Sequence, residues 1–132
     1  MAIVIKVEAG TIVIGNADEA AQARRTMADS QVVDVRGELP RDEDPDPNRA
    51  AGNRALLHRL ADAISRALAR YGAVFVHCEQ GQCRSPTAVA MYLVRELNLS
   101  EPNALATLRI AYEGSGRAFN DRRAQAWLNY RN

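Results

Sequence analysis

Cys78 and Arg84 are separated by five residues, Glu79, Gln80, Gly81, Gln82 and Cys83. An ionised thiol is a strong nucleophile, and a guanidinium is a planar, always charged fork that matches phosphate oxygens. No proline interrupts the run. The backbone N–H groups of Glu79 through Arg84 are therefore all available to form a nest around an anion. Gly81 lets the chain take a positive φ or approach a ligand closely. A helix starting near Pro86 would aim its positive end at the same point. That field favours the thiolate at neutral pH. A thiolate beneath an anion cradle reads as a nucleophile that attacks phosphorus.

Such a loop needs rigid supports on both sides. Ala73 to Val76 is apolar and rich in β-branched and aromatic residues, which predicts a buried strand running into His77. After the loop, Ser85 is a good N-cap and Pro86 suits the first helical position. Pro86–Leu97 is apolar nearly all round, so that helix is expected to be buried and to hold the loop still.

The supporting elements follow in order. Ala2–Val7 and Thr11–Ile14 read as a hairpin around Glu8-Ala9-Gly10. Asn16 is placed to cap a helix over Ala17–Ala28, and Gln31–Val35 reads as the next strand. Asp34 and Arg36 at its end are expected to pair and fix a loop. Glu38 to Asn48 is acidic, and its two Asp-Pro pairs exclude regular structure. Asp46 can cap the following helix with Pro47 at its first position. Arg49–Tyr71 carries a helical stripe of Leu57, Leu60, Ile64, Leu68 and Tyr71, with Gly52 weakening its first turn and Gly72 ending it. Its arginines, Arg49, Arg54, Arg59, Arg66 and Arg70, read as a solvated face, and His58 as a surface residue. Ser100 caps a helix running to about Tyr112. Gly114-Ser115-Gly116 breaks the chain, and Asn120 leads into a last helix, Asp121–Tyr130, anchored by Trp127 and Leu128.

The chain has 132 residues, 47% hydrophobic and 25% charged, which predicts one globular domain spanning the whole length. A net charge of +1 excludes a strong general field for nucleic acid or membrane. Ala2–Val7 is too short for a spanning helix. Both cysteines lie in the one loop, so no disulfide framework is expected, and a reducing cytoplasm is the natural setting. No metal-ligand cluster appears and the chemistry needs none, so no cofactor is expected. The strand and helix order predicts an α/β fold: a mainly parallel sheet of about four strands with helices on both faces, a three-layer sandwich. The Ala73–His77 strand should be central, because ligands bind at the C-terminal ends of such strands.

His77-Cys78-x5-Arg84-Ser85 resembles the signature of the cysteine-dependent protein tyrosine phosphatases, and the flanking Pro86-Thr87 is similar to the small dual-specificity members. The loop also looks like that of the low-molecular-weight tyrosine phosphatases, since Cys83 makes it Cys-x4-Cys-Arg-Ser-Pro. Those proteins carry it at the extreme N-terminus, whereas here it lies past mid-chain. The resemblance implies a phosphomonoester hydrolase working through a phosphocysteine, with a phosphorylated substrate, foremost a phosphoprotein. It implies that Ser85 donates to the Cys78 sulfur as the thiolate leaves and that Asn120 packs near the loop, although Asn120 also reads as a plain helix cap; His77 reads as a residue that fixes the loop and tunes the thiol. It also implies that Cys83 can trap Cys78 as a reversible disulfide.

Expelling an alkoxide or phenoxide needs a proton at the leaving oxygen. In the family an Asp on a loop one helix upstream of the Cys supplies it. Asp46 and Asp44 both suit that layout, with Asp42 and Glu43 behind them. Two alternatives stand beside this reading. Val32-Val33-Asp34-Val35-Arg36 looks like the start of a rhodanese sulfurtransferase, which also uses a loop cysteine. A catalytically idle phosphate-binding module would keep Arg84 and the nest but lack the acid. Phosphotyrosine, phosphoserine or phosphothreonine, phosphoinositide, RNA 5′-phosphate and small metabolites all remain possible substrates.

Overall fold

A computed structural model describes residues 2–39, 43–80 and 84–132. Strands β1 (Ile3–Val7) and β2 (Gly10–Gly15) form the expected antiparallel hairpin. β3 (Val32–Asp34) and β4 (Ala73–His77) run parallel to each other, and β4 runs parallel to β2. The order β1-β2-β4-β3 puts β4 inside the sheet, as its near-continuous apolar run requires.

Alternation along the strands separates two faces. Ile12, Ile14, Val74 and Val76 point to one side, where they join the large core. That side is covered by α2 (Ala50–Tyr71), α3 (Arg84–Glu96), α4 (Glu101–Ser115) and α5 (Asp121–Leu128). Phe75 and Val32 point the other way and pack against Ala20 of α1 (Ala17–Ala23), with Val13 and Met27 beside them. The molecule is thus an α/β three-layer sandwich with a four-stranded, mostly parallel sheet.

The stripe read from sequence is the buried face of α2: Leu57, Leu60, Ile64 and Leu68 are all nearly inaccessible. Gly52 does not delay that helix, because a 3-10 turn over Pro47–Arg49 leads straight into it. At its other end Gly72 takes a left-handed φ of 70° and donates to the Leu68 carbonyl. Gly10 is needed for a different reason. A Cβ there would lie 1.9 Å from the Gly72 carbonyl oxygen, so the hairpin turn presses against the end of α2.

Further expectations change, among them that the last helix ends at Leu128 rather than Tyr130. α1 stops at Ala23 rather than Ala28, because Arg24, Arg25 and Thr26 offer nothing apolar to the small layer above the sheet. α4 continues past Tyr112 to Ser115, and the chain turns only at Gly116, whose φ is 73°. His58 is half-buried: its Nε2 lies 3.1 Å from the Arg131 carbonyl, and Arg95 donates to its backbone oxygen at 3.1 Å. It joins α2 to α3 and to the C-terminal segment.

Candidate active site

Strand β4 delivers His77 and Cys78 to the C-terminal end of the sheet, and both are nearly fully buried. Arg84 is the first residue of α3 and Ser85 the second. Ser85 is therefore inside the helix rather than at its N-cap. Its hydroxyl is wholly buried and has no hydrogen-bond partner among the described residues. A buried hydroxyl left unbonded is costly, which marks Ser85 as more than a helix former. Thr87, Ala88, Val89, Ala90 and Met91 are buried behind it, so α3 is seated rigidly. Arg84 Nη1 donates to the Leu39 carbonyl at 3.2 Å, which ties the start of α3 to the chain after β3. The expectations on Gly81, Gln82, Cys83 and Asp42 lie outside the described residues.

The entry to the loop is held from two sides. The Glu79 carbonyl accepts from the Ala17 N–H at 3.1 Å, at the first turn of α1. The Glu79 carboxylate accepts from Arg36 Nη1 at 2.6 Å. Arg36 also grips Asp34 through Nε at 2.9 Å and Nη2 at 2.8 Å. The Arg36 side-chain bonds hold the Asp34 carboxyl down to about 2, against burial. The strand-end pair expected from sequence therefore reaches further, to Glu79, the residue after Cys78. Gln80 is exposed.

His77 Nε2 lies 3.3 Å from Arg24 Nη1. A guanidinium only donates, so Nε2 accepts and the ring proton sits on Nδ1. Burial pushes the imidazole below its usual range; Asp34 pulls it back, and Arg24 and Arg36 push it down again. The ring is thereby tied to Arg24 in one tautomer.

The acidic segment lies against α2 and α5. Asp46 caps the Pro47–Arg49 turn, accepting from the Asn48 N–H at 2.9 Å. Its Oδ2 stands 3.8 Å from Arg49 Nε. Its backbone carbonyl accepts from Asn53 Nδ2 at 2.9 Å, and Asn53 is a buried polar residue of α2. Asp44 is placed differently. Arg122 donates to both its oxygens at 3.2 Å and Arg123 Nε donates at 3.0 Å. Those hydrogen bonds, Arg122 first, hold the Asp44 carboxyl below the usual carboxylate range. Both aspartates line a cavity of about 610 Å³, with Leu39, Asn53, Leu56 and Trp127 in its walls. Leu39 is the residue whose carbonyl Arg84 engages, so the cavity wall and the start of α3 are joined.

Asn120 caps α5, accepting from the Arg123 N–H at 3.1 Å. The structure adds residues that the sequence does not single out: Asn53, Arg122, Arg123 and the indole N–H of Trp127, which donates to the Glu43 carbonyl at 3.0 Å. These partners are far apart in sequence, and no local pattern signals them. Arg36 is legible only as half of a pair.

Similar folds occur among solved phosphatase structures. One is a leucine rich repeat and phosphatase domain containing protein from Entamoeba histolytica, 13% identical, TM-score 0.67, covering 98% of this chain and 90% of the other. Another is Tk-PTP in the active form, 18% identical, TM-score 0.65, covering 91% and 90%. Human DUSP28 is 20% identical, TM-score 0.60, covering 98% and 92%. At such identities the likeness speaks for the fold. The sequence itself goes further, because residues 10–129 match the model of the dual specificity phosphatase catalytic domain. That span takes in both parallel pairings of the sheet, the buried Cys78, the Arg84 that opens α3 and the helix that closes the chain: this protein belongs to the dual specificity phosphatase catalytic domain family.

Proposed function

We propose that the protein hydrolyses phosphomonoesters through a phosphocysteine on Cys78. The observation that supports this most is the buried Cys78 at the end of the inner strand, with Arg84 opening the buried helix after five intervening residues. The sulfur attacks phosphorus, and the bond to the leaving oxygen breaks. Arg84 and the loop amides hold the equatorial oxygens, which supplies positioning and charge stabilisation. Water then attacks the phosphocysteine, releasing phosphate and regenerating the thiolate. Ser85, buried behind the loop, donates to the departing sulfur.

Asp46 is the general acid in this reading. It protonates the leaving oxygen and later takes a proton from the attacking water. Asp44 is poorly suited, since two guanidiniums hold it as a carboxylate. Asp46 has one oxygen on the Asn48 N–H and the other 3.8 Å from Arg49. The substrate is a phosphorylated molecule, foremost a phosphoprotein. The whole chain acts as one catalytic domain. The setting is a reducing one such as the cytoplasm, where Cys78 stays a thiol. No helix among the described residues is long and apolar enough to cross a membrane.

Turnover of para-nitrophenyl phosphate tests the nucleophile. The wild type is expected to be active, and Cys78→Ser to lose on the order of 10⁴-fold or more. An equally active serine variant removes the assignment. An inert wild type that still binds phosphate or vanadate leaves only the idle binding module.

A further inference from the structure

The segment that carries Asp46 has little structure of its own. It consists of exposed acidic residues and one short 3-10 turn. Its upstream half is held by α5. Arg122 meets both Asp44 oxygens at 3.2 Å, Arg123 Nε reaches Oδ1 at 3.0 Å, and Trp127 Nε1 donates to the Glu43 carbonyl at 3.0 Å. Its downstream half is held by Asn53 on the Asp46 carbonyl. α5 in turn is set firmly: Ala124, Trp127 and Leu128 are buried, and the helix packs on α3. α3 begins with Arg84. The acidic segment and the phosphate-holding arginine are thus referenced to the same helix pair.

We propose that Arg122, Arg123 and Trp127 form a catch that grips Asp44 and the Glu43 carbonyl and so positions Asp46 for proton transfer. Asp44 is then the handle of the acid segment, and Asp46 its working end. This inference rests on the proposed hydrolysis with Asp46 as the acid. The three α5 residues touch no substrate; they act through the segment. Losing the catch lets the Asp46 carboxyl drift from the leaving oxygen. Misplacements of about 1 Å cost up to about a hundredfold when geometry is critical, so a loss of about tenfold is the reasonable scale here.

Trp127 is the only tryptophan, which provides a readout independent of turnover. The test compares wild type with the Arg122→Ala/Arg123→Ala double variant and with Asp44→Asn, which alters the loop side alone. Acrylamide quenching of Trp127 emission is expected to rise in both variants. With a series of aryl phosphates, kcat/KM, which reads the step that expels the leaving group, should fall about tenfold more for phenyl phosphate than for para-nitrophenyl phosphate, whose leaving group needs no proton. Adding Asp44→Asn to the double variant should cost nothing further, because the three side chains act as one unit. Unchanged quenching overturns the catch. So does an equal loss on both substrates, which would mark a general structural role. A wild type that turns over no aryl phosphate refutes the hydrolase reading, while the quenching result still decides whether α5 holds the segment.

Discussion

The two sides of the candidate site are built on opposite principles. On the Cys78 side the flanking elements are close in sequence and carried by apolar packing: β4 on one flank, α3 on the other, with Cys78, His77 and Ser85 almost inaccessible. The Asp46 side is exposed and is held by charges and hydrogen bonds from α2 and α5. Interior packing is rigid and tolerates little displacement. Exposed ion pairs contribute about 0–1 kcal/mol each and are screened by salt. The lesson is a division of labour. In the proposed reaction the nucleophile and the phosphate oxygens need a fixed cradle, whereas the proposed proton donor sits on a segment whose attachment is weak enough to adjust.

This contrast can be broken from either side. The largest loss beyond the nucleophile is expected at Arg84→Ala, where turnover of any phosphomonoester should fall about 10²–10³-fold whatever its leaving group. A loss confined to poor leaving groups would put Arg84 on the wrong side of the comparison. Asp46→Asn comes next. It should cost about a hundredfold on phenyl phosphate and much less on para-nitrophenyl phosphate. If Asp44→Asn showed the deeper loss instead, the assignments of acid and handle would be exchanged.

Arg36→Ala sharpens the contrast at the loop entry and has the smallest effect. Removing it takes the guanidinium away from Glu79 and Asp34 together, while the backbone N–H of residue 36 still meets Asp34. Activity should fall about tenfold through a loosened loop. Stability should fall as well, with a definite pH dependence. The folded Asp34 carboxyl is held at about 2, below its unfolded value of 3.8. Its contribution is therefore fully present above the unfolded value and is lost as pH falls toward the folded one. Since the pair is about one-third exposed, screening reduces that contribution to roughly 1 kcal/mol. Urea unfolding should show wild type and variant about that far apart at neutral pH, the gap closing as pH falls through the window between those two values. A gap that does not change with pH would mean that Arg36 acts by packing alone.

Legibility follows the same division. The strand before Cys78, the buried helix after Arg84, the stripe of α2 and the Asp46 cap all rest on periodicity and on partners within a few residues, so the sequence displays them. The hairpin and the parallel pairing of β4 follow from apolar runs and turn residues. The α5 contacts to Asp44 and Glu43 span 78 to 84 residues, and nothing in a linear pattern marks an arginine as the partner of so distant a carboxylate. The end of α1 is hard to place from sequence because alanines favour a helix without saying how much surface there is to cover. Ser85 has the residue type of a cap, yet Arg84 before it is already helical. Its buried hydroxyl shows what propensity alone misses.

The central claim is that the Cys78 sulfur takes the phosphoryl group. Rapid acid quenching of the Asp46→Asn variant during turnover, followed by mass spectrometry of its peptides, reads this directly. The expected result is a phosphate adduct on the peptide carrying Cys78, absent from Cys78→Ser. Steady turnover with no adduct there, or an adduct on another residue, would contradict it.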